Sequence, residues 1–228
     1  MCGRFTLAFA GFDPAQLRAR FHLDERLEIR PRFNVAPGDD VLAVIERPDA
    51  QPQGTLLRWG LVPHWASDPR DVAVKTINAR AETVAERPAY RDAFARKRCL
   101  IVADGFYEWS GGTPHHITRE DGEPFAFAGL WASWRPRDAD DVEPLRSCSI
   151  VTTAAAGAVR ALHDRMPVIL GAEDEARWLD PATPQDELHA LLAPAGPALV
   201  TRPVSRNVNN ARHDEPDCLD PPEQASLF

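Results

Sequence analysis

The chain has 228 residues, of which 44% are hydrophobic and 26% charged, and a formal net charge of −8 at pH 7. That composition is typical of a soluble globular protein, and the length allows one sizeable core. No run of 18 apolar residues occurs, and no basic segment with a long apolar stretch opens the chain. We therefore expect a cytoplasmic protein with no membrane helix, no secretory signal and no membrane partner.

The cysteines and histidines give no sign of a metal centre. Cys2, Cys99, Cys148 and Cys218 are far apart in sequence and form no Cys-x-x-Cys pair, which argues against a zinc ribbon and a disulfide framework. The seven histidines show no metal-ligand spacing, and no Gly-rich phosphate loop is present. We expect no metal and no cofactor.

Positive charge is unevenly distributed along the chain. Residues 1–100 carry a balance of +3 and residues 101–228 a balance of −11, and 24 of the 26 basic residues are Arg. The guanidinium group suits forked contacts to phosphate. The pattern permits an Arg-lined groove for nucleic acid on an acidic body, although Arg-rich and Ala-rich usage can equally reflect genomic base composition.

The predicted elements are short strands with few helices. Asp13-Pro14 is typical of a helix start, and further helices are predicted at 88–96 and 183–192. Strands are predicted at 41–46, 55–61, 99–103, 115–118, 125–131, 146–153 and 199–203. This order predicts a single α+β domain with a mostly antiparallel, barrel-like mixed sheet and flanking short helices.

The second residue carries the first chemical signal. Because Cys2 is small, removal of Met1 would leave it with a free α-amine, and the amine and thiol together form a 1,2-aminothiol. Such a group closes on an aldehyde as a five-membered thiazolidine ring. The unperturbed pKa is about 7.7–8.0 for an α-amine and about 8.5 for a thiol, so some of each reactive form exists near pH 7. The alternative is an ordinary start followed by a chance cysteine.

Three further polar clusters adjoin apolar segments. An extended 77–83 segment would send Asn78, Arg80 and Glu82 to one face, where they either meet solvent or line a site. Glu108 lies among aromatic residues, which would disfavour its ionised form and suit it to donate a proton; an exposed strand-end Glu is the alternative. His163 precedes an apolar strand and is either structural or catalytic.

Seven short blocks then occur in order. They are MCGRF at 1–5, FNVAP at 33–37, RWGLVPHW at 58–65, INARAET at 77–83, ADGFYEW at 103–109, HDRMP at 163–167 and PVSRNVNN at 203–210. Together they closely resemble the SOS-response-associated peptidase (SRAP) family, proteins that cross-link covalently to abasic sites in DNA. The resemblance extends from residue 2 to about residue 210.

The resemblance implies catalytic roles for four residues. The resemblance allows the protein to remove Met1 itself. The α-amine of Cys2 then attacks the ring-opened aldehyde of an abasic deoxyribose, and the thiol closes a thiazolidine. Asn78 would orient the reacting groups, Glu108 would give and take protons, and His163 would assist Schiff-base chemistry and reversal. The implied enzyme is peptidase- and lyase-like, modifying itself rather than turning over freely.

The implied partner is single-stranded DNA with abasic sites. Family members hold a single strand with Arg on phosphates and apolar residues against bases. The matching residues here are Gly3, Arg4, Pro37, Trp65, Arg80, Trp109 and Arg165. One departure is Ala66, where many relatives have a second aromatic residue, so we expect a weaker stacking wedge or a larger share of that role for Trp65.

The predicted organisation is a monomer with a catalytic domain at 1–212 and an acidic, Pro-containing tail at 213–228 whose composition is typical of disorder. Two rival functions remain. Glutamine amidotransferases, N-terminal-nucleophile amidohydrolases, also begin Met-Cys-Gly, but their downstream substrate motifs are not found here. A DNA-binding module without chemistry would not need Cys2, Asn78, Glu108 and His163 together.

Overall fold

The described strands form two sheets, one of five strands and one of eight. The computed structural model describes residues 2–46, 52–137, 139, 141–194 and 196–223. Among these the strands are β1 (Phe5–Leu7), β2 (Arg32–Val35), β3 (Asp40–Glu46), β4 (Pro52–Trp59), β5 (Asn78–Arg80), β6 (Arg98–Ala103), β7 (Gly105–Ser110), β8 (Thr113–Arg119), β9 (Phe125–Trp134), β10 (Leu145–Ala154), β11 (Arg165–Pro167), β12 (Ile169–Leu170) and β13 (Leu199–Pro203). The helices are α1 (Pro14–Arg20), α2 (Pro69–Ala73), α3 (Arg91–Arg96), α4 (Ala172–Leu179) and α5 (Gln185–Leu191).

One sheet closes on itself as a barrel. Its ring runs β10-β4-β3-β6-β9, and β9 pairs again with β10. The ring pairs are antiparallel except β4 with β10, which is parallel, and β5 also joins β10 in parallel. A closed ring leaves no free edge between these strands. The predicted α+β domain with a mostly antiparallel, barrel-like mixed sheet and short helices is confirmed.

Most barrel strands are apolar on both faces. In β3, Ala43 and Ile45 belong to a cluster with the barrel residues Leu57 and Ile101, whereas Leu42 and Val44 join a second cluster. Successive side chains of a strand point to opposite faces, so β3, β6 and β9 contribute to both clusters, whereas β4 contributes only to the first and exposes Leu56 on its other face. The second cluster contains residues of α1, α3 and α4, including Leu17, Phe94 and Trp178. Residues 99–103 are apolar throughout because β6 also faces both clusters.

The other sheet carries the N-terminus. Its order is β13-β8-β7-β1-β2, and every pair is antiparallel. Phe5 in β1 is buried against the barrel, with its ring centroid 5.2 Å from that of Trp59 and 5.7 Å from that of Phe127. Tilted and edge-on aromatic pairs at such distances are favourable. This packing fixes the start of the chain between the two sheets.

The predicted helix boundaries hold unevenly. The start at Asp13-Pro14 is confirmed, since the Asp13 carboxylate accepts from the Ala15 amide at 2.8 Å. The predicted helices at 88–96 and 183–192 are shorter in the structure, at Arg91–Arg96 and Gln185–Leu191. The segment 77–83, considered above in an extended conformation, is a strand only from Asn78 to Arg80, and Ala81–Thr83 forms a 3-10 helix. Helices α2 and α4 were not predicted.

Residues 213–223 pack against the domain and do not form a separate tail. The Asp214 carboxylate accepts from the backbone amides of Phe33 and Asn34 at 2.6 and 2.7 Å and pairs with the Arg32 guanidinium. The 3-10 helix Pro216–Leu219 buries Cys218 completely. The boundary predicted at 212 therefore falls inside a packed structure; residues 224–228 lie outside the described part. No helix of the described residues is long and apolar enough to cross a membrane.

Candidate active site

Strand pairing holds Cys2 beside Glu108. In the antiparallel pair of β1 and β7, Phe5 lies opposite Phe106, and the Tyr107 amide donates to the Arg4 carbonyl at 3.0 Å. Residues 2–4 therefore run alongside residues 107–109. Cys2 is completely buried, and its Sγ lies 3.9 Å from the Arg4 carbonyl oxygen. Met1 lies outside the described residues, so the structure does not address its removal.

Asn78 fixes the backbone of Cys2 from the barrel side. It opens β5, opposite Ile150 of β10, and its Nδ2 donates to the Cys2 carbonyl at 2.7 Å. The Tyr90 hydroxyl donates to the Asn78 carbonyl at 3.0 Å and steadies the strand. The Asn78 Oδ1 is buried and has no hydrogen-bond partner within the described structure. An amide oxygen held in this way is positioned to accept a hydrogen bond from a reactant.

Burial controls the protonation of Glu108 and Cys2. Glu108 is only 3% exposed, and this burial raises the pKa of its carboxyl, with a nearby His163 charge acting in the opposite direction. Burial, and secondarily the Glu108 charge, raises the pKa of the Cys2 thiol well above its ordinary value. Both groups thus favour their neutral forms.

His163 completes the group. It lies between the 3-10 helix Gly157–Ala161 and β11. Its Nδ1 is 2.9 Å from the Arg165 amide nitrogen and 2.8 Å from a carboxylate oxygen of Asp164. Nδ1 accepts from the amide when it is unprotonated and donates to the carboxylate when it is protonated, and it cannot do both at once. Nδ1 therefore has a hydrogen-bond partner whether or not it carries the proton.

Comparison with known proteins gives these four residues a context. The model of the SOS response associated peptidase (SRAP) family matches residues 1–211. The chain belongs to the SRAP family. Among its relatives, the "Abasic site processing protein YoqW" of Bacillus subtilis is 40% identical over 230 residues, with 96% of this chain and 99% of that protein covered.

Relatives also occur in vertebrates. The "Abasic site processing protein HMCES" of Gallus gallus is 33% identical over 228 residues, with 85% of this chain and 67% of that protein covered. A crystal structure of a protein from Bacteroides thetaiotaomicron superposes with a TM-score of 0.84 at 23% identity and covers 96% of this chain and 99% of its own. That last likeness shows that the two chains share the SRAP fold.

The arginines expected to bind phosphate differ in how they are held. Arg80 is exposed. Arg4 is partly buried, and its Nη1 donates to the Asn34 Oδ1 at 2.9 Å and to the Val208 carbonyl at 2.7 Å. Arg165 pairs with Glu82 and is 13% exposed in its side chain. In this SRAP chain, phosphate contact by Arg4 and Arg165 stays a prediction, since both guanidinium groups already hold tertiary contacts.

The residues expected to meet bases are at the surface in different degrees. Pro37 is exposed, and Trp65 is 49% exposed. Trp109 is half-buried, with its Nε1 donating to the Asn209 Oδ1 at 2.8 Å. Gly3 is half-buried beside Cys2. Ala66 is buried, and its carbonyl accepts from the Trp134 Nε1 at 2.7 Å, so it presents no side chain to a base and leaves Trp65 as the aromatic ring at this point.

One supporting network was missed in the sequence. The Asp104 carboxylate accepts from the Thr6 hydroxyl at 2.6 Å and from the amides of Ala8 and Phe9 at 2.7 and 2.8 Å. Burial raises the pKa of Asp104, and these hydrogen bonds oppose the rise. The network ties β1, and with it Cys2, to the start of β7. An acidic residue directly after the apolar run 99–103 was its signal in the sequence.

Proposed function

We propose that this chain processes abasic sites in DNA by attaching to them covalently through Cys2. The family membership and the names of the relatives support abasic-site processing. The observation that carries the covalent mechanism is the hydrogen bond from Asn78 to the Cys2 carbonyl, beside the buried Glu108 carboxyl. Cys2 lies near the Asn78 amide, the Glu108 carboxyl and the His163 imidazole. A nucleophile with an acid and a base beside it is suited to attack on a carbonyl.

The reaction needs only the aminothiol and an aldehyde. Once Met1 is removed, the Cys2 α-amine adds to the C1′ aldehyde of the ring-opened abasic sugar. The carbinolamine loses water to give a protonated Schiff base, and the Cys2 thiol then adds to the same carbon. Five atoms close a thiazolidine, with one water released overall and no oxidant or cofactor. Removal of Met1 by the protein itself is part of the proposal.

The raised pKa of Glu108 fits both proton transfers. Protonated Glu108 donates to the departing hydroxyl of the carbinolamine, and the resulting carboxylate then takes the Cys2 thiol proton as sulfur attacks. The carboxyl is restored at the end of the cycle. Asn78 holds the Cys2 backbone through these steps, and its Oδ1, which has no partner among the described residues, is placed to accept a hydrogen bond from the sugar or the amine. His163 assists the Schiff-base step and its reversal.

Single-stranded DNA is the proposed substrate, because its sugars are accessible without separating a duplex. Arg80 is exposed and lies two residues after Asn78 on β5. A phosphate bound by Arg80 would therefore lie close to the reacting sugar. Trp65 and Pro37 are exposed apolar surfaces on which bases can stack. Gly3, Arg4, Trp109 and Arg165 complete the proposed DNA-binding set.

A cross-linking assay tests the proposal. A single-stranded oligonucleotide with one abasic site is incubated with protein shown by intact mass to lack Met1. We expect a slow band on a denaturing gel, whose mass is the sum of the two molecules less one water. Cys2→Ala should remove the heat-stable band and leave at most a Schiff base that borohydride traps.

A matched control separates this chemistry from general thiol reactivity. Cys148→Ala removes another fully buried thiol, one that lies in the barrel, and should cross-link as the wild type does. A normal yield of unreduced, heat-stable adduct from Cys2→Ala would refute ring closure. Absence of any band from the Met1-free wild type, together with release of ammonia from glutamine, would favour an amidohydrolase instead.

A further inference from the structure

Three potential metal ligands lie close together in the C-terminal segment, and none of them takes part in the proposed abasic-site chemistry. The donor atoms of His213, Asp217 and Cys218 all lie within 4.8 Å of one another. His213 ends the loop before the 3-10 helix Pro216–Leu219, which carries the other two residues. The chain spacing His-x-x-x-Asp-Cys matches no common metal motif, so the sequence alone does not reveal the cluster.

Each ligand is held in a way that suits coordination. The His213 Nε2 is 2.6 Å from the Asp217 Oδ1, and the two side chains are 33% and 42% exposed. The other oxygen of Asp217 accepts from the Asn207 Nδ2 at 2.9 Å, which turns Oδ1 toward the histidine. Cys218 lies beneath them, completely buried, with its Sγ 3.4 Å from the His213 carbonyl oxygen. Outer hydrogen bonds of this kind commonly orient metal ligands.

We propose that His213, Asp217 and Cys218 bind one zinc ion, with the fourth position open to water. Imidazole, carboxylate and thiolate are the three ligand types zinc takes, at about 2.0–2.3 Å. Ligand atoms around a tetrahedral ion at those lengths are roughly 3–4 Å apart. Small rotations of the three side chains therefore bring the cluster to that geometry, and the exposed edge of His213 and Asp217 gives an ion a way in.

Binding would exchange hydrogen bonds for metal bonds. One proton is released: the Cys218 sulfur binds as thiolate and its proton leaves to solvent, while Asp217 binds as the carboxylate and His213 as a neutral imidazole whose proton is on Nδ1. A coordinated thiol is deprotonated by the metal itself.

The effect of the ion would reach the N-terminal strand through the side-chain hydrogen bonds of Asn34 and Arg4. The His213 carbonyl accepts from the Asn34 Nδ2 at 2.7 Å, and the Asn34 Oδ1 accepts from Arg4. Arg4 is two residues from Cys2. The ion would thus clamp the C-terminal segment onto β2 and stabilise the strand pair that presents Cys2. This inference does not depend on the abasic-site chemistry, and its test does not use cross-linking.

Metal titration of the full chain tests the site. Because an N-terminal aminothiol can itself chelate a metal, the protein is stripped with EDTA and studied in a Cys2→Ala background. We expect one equivalent of Zn²⁺ by calorimetry, and with Co²⁺ a near-ultraviolet thiolate charge-transfer band. Zinc at about 100-fold above its Kd should raise the unfolding temperature by roughly 5–10 °C.

Variants decide which residues hold the ion. Cys218→Ser and Asp217→Asn should each remove the stoichiometric binding and the temperature rise, whereas His22→Asn, a change at an exposed histidine elsewhere, should alter neither. If Cys218→Ser does not fold, Asp217→Asn decides alone, since Asp217 is at the surface. No binding of either ion by the Cys2→Ala protein, or binding that survives Asp217→Asn, would overturn the proposal.

Discussion

Asn78 donates its side-chain amide to the carbonyl of Cys2 at 2.7 Å while its own Oδ1 stays buried without a partner in the described structure. A buried polar atom without a partner costs free energy. Such a cost is understandable at a site where a reactant supplies the missing hydrogen bond. Asn78 therefore connects the fold of the N-terminus to the proposed chemistry.

Asn78→Ala should slow cross-linking about tenfold, because a buried hydrogen bond contributes about 1–2 kcal/mol. Asn78→Asp should be slower still, since a carboxylate oxygen would face the Cys2 carbonyl oxygen. Single-turnover rates with the abasic oligonucleotide measure both, and circular dichroism shows whether the variants remain folded. A folded Asn78→Ala protein with the wild-type rate would remove Asn78 from the mechanism.

Glu108→Gln should lower the cross-linking rate by about 10²–10⁴, the usual contribution of a positioned acid or base. The wild-type rate should fall at low pH as the α-amine becomes protonated and fall again at high pH as Glu108 loses its proton. Gln cannot ionise, so the variant should lose the high-pH decline. Rates measured from pH 5 to 9 give the comparison, and an unchanged profile in the variant would assign the proton transfers to another group.

The same substitution should affect stability with a defined sign. Burial raises the pKa of Glu108 in the folded protein, so the ionised side chain opposes folding. This penalty is absent below the unfolded pKa of about 4.3 and becomes complete as the pH rises through the folded value. Glu108→Gln should therefore unfold at a higher temperature than the wild type at about pH 8 and at a similar temperature at about pH 3.5. A lower unfolding temperature for the variant at pH 8 would contradict the raised pKa.

How far the sequence predicts this fold depends on the length of each pattern. The run 99–103 is apolar throughout, and β6 is buried on both faces as expected. Helix α4 escapes prediction because most of its eight residues are charged or Ala, and one of its three buried residues, Glu175, is itself charged, so Trp178 and Leu179 alone give it an apolar face. A barrel-like sheet is predicted, but the way it closes is not, because closure depends on the parallel pairing of β4 with β10, which are far apart in the chain, and no local pattern encodes the partner of a strand.

The site shows the same limit. The residue types at Cys2, Asn78, Glu108 and His163 suggest chemistry, but their proximity comes from three strands, β1, β5 and β7, and a loop. Composition misleads at the C-terminus, where acidic residues and Pro are typical of disorder. There a single carboxylate, that of Asp214, satisfies two backbone amides of β2. Long-range contacts of this kind leave no periodic trace in the sequence.

Arg80→Ala should weaken DNA binding and reduce the salt slope of log K by about 0.7, the value for one phosphate of a single strand. Arg146→Ala is the matched control. It changes another exposed Arg, on β10, but Arg80 lies opposite Thr152 of that strand, roughly 20 Å further along. Fluorescence anisotropy at several salt concentrations measures both slopes. Equal slopes for the two variants would show that Arg80 contacts no phosphate.

Truncation tests whether the segment from residue 213 belongs to the folded domain. A chain ending at residue 212 loses the hydrogen bonds that the Phe33 and Asn34 amides donate to the charged Asp214 carboxylate. It also loses Cys218 from the apolar cluster that contains Tyr107. Hydrogen bonds to a charged group contribute about 1.5–3 kcal/mol each, and a buried apolar side chain about 1.5–3 kcal/mol.

The conformational entropy lost on ordering residues 213–223 offsets part of these gains, so we expect the chain ending at residue 212 to be about 3–5 kcal/mol less stable in urea than the full chain. A chain ending at residue 223 keeps all of these contacts and serves as the control, with unchanged stability. Cross-linking should slow with the shorter chain, because β2 pairs with the strand that follows Cys2. Equal unfolding midpoints for the two truncated chains would mean that the domain ends at residue 212, as its composition first indicated.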